Sequence, residues 1–325
     1  MSLDITAHHL LDADQHIHFC SLSADEKFLA CALSNGVVCL VNATMFNTVS
    51  RGAPGKDFMD FPATCVRWAP AECDSDWQLV SSSCAGGVML WQWDRNEFSL
   101  RRGGAAYENQ NEVMTVDVSP SGKQVLTAGS DRIVRLYDST LTLLAQLTEF
   151  LNADGTSQPA HTSRIFSLRF LTEVVAVSTG WESPIQLWDL RACRSNRQVI
   201  GVQGVSDCLE PVPNTPLVLV ASPKSTNTLQ IFETTTGRIQ EENSNKVCSQ
   251  LTLTERVVVC RIQAETGNVW CLTVSPPSVI VLCLSSGRIV ARTKLEHTPI
   301  NMITKDAGVV VGCKNGVLLQ VSLSM

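Results

Sequence analysis

Short runs of alternating apolar and polar residues, each bounded by turn residues, set the pattern of this chain. Between residues 161 and 191 three such runs follow one another, at 165–171, 174–178 and 185–190, and alternation is clearest in the last. Alternation with a period of two over roughly four to eight residues indicates a half-buried β-strand. The segment is therefore predicted to form consecutive strands joined by tight turns.

The same unit recurs along essentially the whole chain. Units begin near residues 16, 63, 112, 164, 205, 257 and 299, a spacing of 41 to 52 residues. Asn35-Gly36 and Asn315-Gly316 stand between apolar runs, where tight hairpin turns need residues that adopt a positive φ. No helical segment of consequence is expected. Recurrence at this period predicts a repeat protein in which each unit buries its apolar face against its neighbours.

The unit at residues 161–191 resembles a repeat of the WD-repeat family. It ends on Trp188-Asp189 and carries His161 27 positions before that Trp. The resemblance implies that each unit builds one four-stranded blade of a β-propeller. The implied fold is therefore all-β, a seven-bladed β-propeller of four-stranded antiparallel blades that forms a single domain over residues 1–325.

The last repeat lacks a strand that the N-terminus can supply. The seventh repeat holds three apolar runs, whereas residues 3–13 form a part-apolar run that belongs to no complete repeat. We expect this N-terminal run to pair with the last blade as its fourth strand. Such pairing closes the ring and removes two open sheet edges, which would otherwise invite aggregation.

In the WD-repeat family a buried polar network stabilises each blade. It joins a His before the first strand, a Ser or Thr on the second, an Asp in the following turn and the Trp, and such buried groups must find partners within the set. No repeat here has the full set, and in the third Asn109 replaces the His and Tyr137 the Trp. The resemblance assigns the network to His161, Ser178, Glu182 and Trp188 in the fourth repeat, Thr127 and Asp131 in the third, Trp91 in the second and His297 before the seventh.

Composition indicates the cellular compartment of the chain and the class of partner that it binds. Hydrophobic residues make up 44% of the chain and charged residues 17%, which indicates a globular protein with a large core. The net charge of −6 does not attract phosphate backbones, so no direct binding to nucleic acid is expected. Thirteen cysteines, without any CxxC pair, indicate reduced core thiols in a cytoplasmic protein, with a nuclear protein as the alternative.

The sequence predicts neither secretion nor membrane insertion. Its first 16 residues contain no basic region followed by a long apolar run, so no signal peptide is expected. No stretch approaches the roughly 18 uninterrupted apolar residues of a transmembrane helix.

No catalytic motif is visible, and we predict no enzymatic activity, cofactor or metal. His16 and His18 lie on one side of a predicted strand and could serve a metal, but no Cys, Asp or Glu stands at ligand spacing. A surface pair on a strand is the better interpretation. Nucleophile-elbow, metalloprotease, phosphate-loop and dinucleotide-binding spacings do not occur.

Leu100-Arg101-Arg102-Gly103 offers an alternative function. It is similar to the Phe/Leu-Arg-Arg-Gly motif of propellers that bind phosphoinositides, in which each guanidinium can bind a head-group phosphate through two hydrogen bonds. The resemblance implies a lipid site at Arg101 and Arg102, in a turn between the second and third repeats. In that family the motif comes later in the chain, and a solvated basic turn is the competing interpretation.

The favoured hypothesis is a non-catalytic scaffold or adaptor that binds a peptide segment of another protein within a multiprotein complex. Partners of such rings usually dock over the central channel, on the face reached by positions early in each innermost strand. Trp181 is the leading candidate because a turn aromatic beside arginines is typical of interface hot spots, each worth roughly 2 kcal/mol or more. Phe166 could instead be ordinary core. The predicted partner-binding residues are Trp181, Phe166, Arg164, Arg132, Ser130, Met114, His18, Thr64, Asp207 and Asn301.

Overall fold

Seven antiparallel sheets stand as blades around a ring in the part of the chain that the structure describes. The structure is a computed structural model that describes residues 1–9, 15–58, 60–70, 77–224, 226–306 and 308–324. The innermost strand of each blade lies against that of the next, and the innermost strand of the last blade lies against that of the first. The predicted seven-bladed, all-β propeller is confirmed.

The first half of the chain forms three blades after an N-terminal strand, β1 (Ser2–His9). The first blade consists of β2 (Ile17–Leu22), β3 (Phe28–Leu33), β4 (Val38–Asn42) and β5 (Thr48–Gly52). After a 3-10 turn (Lys56–Phe58), the second consists of β6 (Ala63–Trp68), β7 (Leu79–Ser83), β8 (Gly87–Asp94) and β9 (Ser99–Tyr107). The third consists of β10 (Val113–Val118), β11 (Gln124–Gly129), β12 (Val134–Asp138) and β13 (Leu143–Leu147).

A hairpin, β14 (Glu149–Leu151) and β15 (Ser157–Pro159), precedes the remaining four blades. The fourth blade consists of β16 (Ile165–Phe170), β17 (Val175–Gly180), β18 (Ser183–Asp189) and β19 (Arg194–Val199). The fifth consists of β20 (Leu209–Pro211), β21 (Leu217–Ala221), β22 (Leu229–Glu233) and β23 (Arg238–Ile239), followed by the helix α1 (Glu241–Cys248). The sixth consists of β24 (Val257–Gln263), β25 (Asn268–Val274), β26 (Pro277–Cys283) and β27 (Ile289–Lys294). The seventh consists of β28 (Pro299–Lys305), β29 (Gly308–Cys313) and β30 (Val317–Ser324), with a 3-10 turn (Lys314–Gly316) before β30.

The two ends of the chain close the ring. Strand β1 pairs antiparallel with β30 in unbroken register from Ser2 opposite Ser324 to His9 opposite Val317. The outer edge of β30 is therefore occupied, as predicted from the orphan N-terminal run. Strand β1 begins at Ser2 and ends at His9. Residues 10–13 of the predicted run lie outside the described residues.

Blade five departs from the expectation of an all-strand chain. Its fourth strand, β23, is two residues long, and α1 covers the rest of the outer edge of β22. The backbone N–H of Ile231 donates to Ser244 Oγ at 2.9 Å, and that of Leu229 to Cys248 Sγ at 3.3 Å. Side chains of a helix thus satisfy the backbone groups that a longer fourth strand would have paired, so the edge is not left open.

The hairpin between blades three and four is a second addition that the repeat pattern did not indicate. Strand β14 pairs with β15 and also lies parallel to β19, with Phe150 opposite Ser195. The fourth sheet therefore contains six strands and not four. Phe150 is buried in the core between blades three and four, which ties the insertion to the ring.

In the part of the chain that the structure describes, no helix combines the length and apolar character needed to cross a membrane.

Candidate partner-binding face

One face of the ring carries most of the predicted partner-binding residues, and we name it the upper face. It is formed in each blade by the start of the first strand and by the turn between the second and third strands. A backbone hydrogen bond from that turn to the residue ahead of the first strand brings the two together in several blades. These bonds run from Ser34 to His16, from Cys84 to Pro62, from Ser130 to Glu112, from Trp181 to Arg164 and from Lys314 to Thr298.

A β-bulge at the start of the innermost strand recurs around the upper face. In the first four blades the register between the first and second strands shifts by one residue, and the extra residues are His18, Thr64, Met114 and Phe166. A bulge leaves its extra residue unpaired and re-aims its side chain. All four are half-buried at this end of the channel. These are the positions that the sequence assigned to the face.

Two predicted face residues are buried, and their assignment to the face is wrong. In blade seven the bulged residue is Ile300, whereas Asn301 is 1% exposed and its Oδ1 accepts a hydrogen bond from the Cys20 N–H at 3.1 Å. The prediction was one residue out of register because the bulge of this strand was not visible in the sequence. In blade six the bulge falls on Val258, which the sequence reasoning did not include.

Asp207, the other misassigned residue, lies in an ion cluster inside the ring. It is 4% exposed, and its carboxylate pairs with Arg67 at 3.1 Å, with Arg169 at 2.6 Å and with Arg261. Arg67 belongs to blade two, and Asp207 precedes the first strand of blade five. The Arg67–Asp207 pair therefore connects blades two and five across the ring.

Further acids complete this cluster. Asp117 lies 3.5 Å from Arg67 Nε, and Glu210 lies 3.6 Å from Arg261 Nη1. Burial raises the pKa of Asp117 to about 6, against the opposing effect of Arg67, and burial also raises the pKa of Glu210. Three arginines thus face three acids in the cluster, and the pairing offsets part of the cost of burying each charge.

Trp181 lies exposed on the upper face. It follows β17 in the turn before β18, and its indole-bearing side chain is 47% exposed. Its backbone N–H donates to Arg164 O at 3.3 Å, and the hydroxyl of Ser163 donates to its carbonyl. The turn is therefore fixed to the start of the blade while the large side chain remains in solvent.

Charged and polar residues of blades three and four lie on the same face as this aromatic residue. Arg164 is exposed and lies 3.4 Å from Glu112 Oε2, across the junction between blades three and four. Ser130 Oγ accepts a hydrogen bond from the Glu112 N–H at 2.9 Å. Arg132 is exposed in the same turn as Ser130, with a φ of 72°. The structure thus brings the predicted arginines and Ser130 to the same side of the ring as Trp181.

Two exposed aromatics on the upper face were not predicted. Phe61 precedes β6 and is 50% exposed, and Tyr107, the last residue of β9, is 64% exposed. Tyr107 pairs with Gly87 at the start of β8, which places it at the upper end of blade two. Neither residue lies early in an innermost strand, where the sequence predicted the face, and only their aromatic character could have indicated them.

The blade-four network joins three of the four residues assigned to it. His161 Nε2 lies 2.6 Å from Ser178 Oγ, and the Trp188 Nε1–H donates to the same oxygen at 2.8 Å. Burial lowers the pKa of His161 to about 3, so the ring is neutral and has one donor and one acceptor nitrogen. Glu182 is exposed in the turn and does not belong to this buried set. Ser183 takes its place, with Oγ 2.9 Å from His161 Nδ1.

Blade three builds its network around an acid that the sequence reasoning missed. Glu108 is buried and accepts hydrogen bonds from Thr127, at 2.5 Å, and from the Tyr137 hydroxyl, at 3.0 Å. Its other oxygen accepts from Arg135 Nη1 at 2.9 Å, and Arg135 also pairs with Asp131 at 2.5 Å. Asn109, predicted to replace the His, is exposed. The central residue of the network is therefore one position earlier than predicted.

The remaining residues assigned to the network are Trp91 in blade two and His297 ahead of blade seven. In blade two the Trp91 Nε1–H donates to Ser81 Oγ at 2.8 Å. His297 is half-buried ahead of β28. Trp91 therefore has the same type of acceptor as Trp188, a serine on the second strand.

The Leu100–Gly103 motif lies in a strand, and its prediction as a turn is wrong. Arg101 and Arg102 are consecutive residues of β9, so their side chains leave opposite faces of the sheet. Arg101 forms an exposed ion pair with Glu97 at 2.5 Å, and Arg102 Nη1 donates to Pro54 O at 2.7 Å. The phosphoinositide site stays a prediction, and neither of these arginine contacts favours it.

Among the described residues, no group of three or more His, Cys, Asp or Glu side chains is placed to hold a metal ion.

Comparison with known proteins finds similarity to WD-repeat proteins over part of the chain. Residues 105–138, which include most of blade three, match the family model described as WD domain, G-beta repeat. The ribosome biogenesis protein WDR12 homolog of Drosophila persimilis is 23% identical over 135 residues, which is 40% of this chain and 32% of that protein. The homolog of Drosophila virilis is 22% identical over 136 residues, with the same two shares.

A third relative covers more of the chain. The periodic tryptophan protein 2 homolog of Dictyostelium discoideum is 25% identical over 167 residues, which is 51% of this chain but only 17% of that protein. The chain thus spans about a third or less of the length of these relatives. The chain is therefore similar to WD-repeat proteins in one repeat, and its described residues form a closed ring of seven β-propeller blades.

Proposed function

We propose that this chain is a non-catalytic platform that binds a peptide segment of another protein across its upper face. The observation that carries the proposal is the exposure of Trp181 beside Arg164 on a rigid turn. Large exposed aromatics next to arginines concentrate binding energy at protein interfaces. A turn that is already held by hydrogen bonds also limits the backbone conformational entropy that is lost on binding.

The closed channel supports a partner that lies on the face. The ion cluster around Asp207 links blades two, four, five and six inside the ring, so we expect a segment to lie over the cluster. The bulged residues of the first four blades, His18, Thr64, Met114 and Phe166, together with Trp181, then supply an uneven surface of mixed polarity. An extended or looped segment of a partner fits such a surface better than a small molecule, because small-molecule sites are usually concave and enclosed.

The relatives support a place in a multiprotein assembly. Two of them are named for ribosome biogenesis, and WD-repeat propellers generally act as protein-interaction scaffolds. These relatives give the cytoplasmic prediction no support, and we carry the nuclear alternative forward as the proposal. The chain matches only a part of each relative. Its place in an assembly and its protein partner are therefore proposals for this chain.

A double variant, Trp181→Ala with Phe166→Ala, tests the face directly. We expect it to lose the proteins that the unaltered chain retains in affinity purification from native cells, quantified by mass spectrometry. Each anchor worth roughly 2 kcal/mol corresponds to about 30-fold in affinity. Unchanged circular dichroism and thermal unfolding would show that the ring is intact.

Phe98→Ala provides the matched control. Phe98 is another exposed aromatic, but it lies between β8 and β9 at the opposite end of blade two. Its loss should leave the retained proteins unchanged. Equal retention by the double variant and by Phe98→Ala would contradict the assignment of the face.

A further inference from the structure

A groove opens on the upper face between blades two and three. Its volume is about 760 Å³, and Phe58, Phe61 and Tyr107 contribute aromatic rings to its lining. The Phe58 and Tyr107 ring centroids lie 6.2 Å apart at an interplanar angle of 47°. A Cβ at Gly87 would come within 2.7 Å of the Phe58 ring. The absence of a side chain at the start of β8 therefore allows the ring to pack there.

A carboxylate lies among these rings. Of the described residues that line the groove, Glu112 alone carries a formal charge, and its side chain is about half exposed. Its contact with Arg164, at 3.4 Å, is long and exposed, and pairs of that kind contribute little and exchange readily. Glu112 also acts on Cys84 in the same groove, since burial and then Glu112 raise the pKa of that thiol.

This combination has a specific chemical preference. The faces of aromatic rings attract cations, and an adjacent carboxylate adds a direct ion pair. The net charge of the chain, −6, further favours a basic partner through long-range attraction. An acidic or phosphorylated side chain would be repelled by Glu112, and the described lining residues include no cation, although Arg164 lies next to that carboxylate.

We propose that the groove between Phe61, Tyr107 and Glu112 binds the cationic side chain, lysine or arginine, of the peptide segment that occupies the upper face. This inference rests on the proposed peptide-binding function and adds the chemical class of one partner residue. Arg164 contacts both Glu112 and the backbone of Trp181. The basic residue is therefore assigned to the groove, because the charge of Arg164 disfavours a second cation beside Trp181.

Short peptides test the preference without knowledge of the partner. We would compare acetylated, amidated Gly/Ser heptapeptides with one central Arg, Lys, citrulline or Glu, at about millimolar concentration, by saturation-transfer-difference NMR with the full chain. Citrulline is the control, because it keeps the shape of Arg without its charge. We expect the Arg and Lys peptides to bind about two- to fivefold more tightly than the citrulline peptide, the size of an exposed cation–π contact.

Variants connect that preference to the groove. Tyr107→Ala and Glu112→Gln should each remove the difference between the Arg and citrulline peptides, and Phe98→Ala should preserve it. Thermal unfolding of each variant checks that the ring is intact. Equal transfer to the Arg and citrulline peptides, no transfer to any peptide, or a charge preference that survives both groove variants would overturn the proposal.

The two proposals fail separately. Loss of partner retention in the Trp181/Phe166 double variant, together with no charge preference in the peptides, would keep the binding face and reject the cation groove. A charge preference that depends on Tyr107 and Glu112, together with full retention by the double variant, would keep the groove and reject Trp181 as the anchor.

Discussion

Blades three and four solve the same structural problem with different chemistry. In blade four a neutral imidazole, His161, lies at the centre of the network and binds a serine that also accepts from Trp188. In blade three a carboxylate, Glu108, occupies the equivalent place ahead of the first strand and binds Thr127 and Tyr137. Glu108 bonds directly to the second strand and to the aromatic residue of the third, whereas in blade four Ser178 of the second strand bonds both His161 and Trp188.

The difference shows that the geometry of the blade is maintained while its charge is not. A neutral imidazole can be buried at moderate cost, whereas a buried carboxylate needs a cation. Blade three provides that cation in Arg135, which pairs with Glu108 at 2.9 Å and with Asp131 at 2.5 Å. Blade four, with its uncharged centre, needs no such ion pair. The two blades should therefore respond differently when the central residue is changed or when the pH falls.

Removal of the acid in blade three should have the largest effect. Glu108→Ala leaves Arg135 buried with only Asp131 beside it and leaves the Tyr137 hydroxyl without its acceptor. We expect a loss of about 3 kcal/mol or more in the free energy of unfolding, as for other buried ion pairs that lose one member. Urea-induced unfolding followed by tryptophan fluorescence measures the change.

A double variant separates lost packing from an uncompensated charge. Glu108→Leu with Arg135→Met replaces both charged groups with apolar groups of similar size, and it should recover much of the stability lost in Glu108→Ala. A double variant as unstable as the single variant would show that shape, and not the isolated cation, determines the cost.

Acidification should affect blade four through His161. Its pKa is about 3 in the folded chain and near the ordinary 6.5 when unfolded. The neutral ring contributes its full stability above pH 6.5, and this contribution is lost as the pH falls from 6.5 towards 3, because only the unfolded chain takes up the proton. Between pH 7 and pH 5 the loss is about 2 kcal/mol.

His161→Gln isolates this effect, because glutamine does not titrate. The unaltered chain should lose about 2 kcal/mol more than the variant when both are unfolded by urea at pH 7 and pH 5. Asp117 acts in the opposite direction in both proteins, because its raised pKa of about 6 stabilises the fold as the pH falls. The same pH dependence in both proteins would mean that His161 is accessible to protons in the folded state.

The repeat pattern was sufficient to predict the ring and its closure. Alternation of apolar and polar residues locates the strands, and the N-terminal run supplies the strand that the last repeat lacks. Both predictions depend only on short stretches of sequence. Turn position and aromatic character together identified Trp181 as an exposed residue. Local signals of this kind do not depend on which distant residues meet.

Other features depend on contacts between residues that are far apart in the sequence, and these could not be predicted. Arg67 and Asp207 are 140 positions apart and pair only because the ring brings blades two and five to one channel. Glu108 follows an exposed strand and looks like a surface acid until Arg135 is placed beside it. A β-bulge decides whether residue 300 or 301 reaches the upper face. A bulge shifts the register by one residue, and the alternation of apolar and polar residues does not show where that shift occurs.

The smallest expected effect tests how many donors the acid of blade three needs. One oxygen of Glu108 accepts from both Thr127 and Tyr137, so Tyr137→Phe leaves the Thr127 bond in place and should cost about 1 kcal/mol. Thr127→Val should cost a similar amount for the same reason. The two changes together leave that oxygen buried without either donor, so the double variant should lose more than the sum of the single losses. A strictly additive double-mutant cycle in urea unfolding would mean that each donor acts alone and that the network does not share its acceptor.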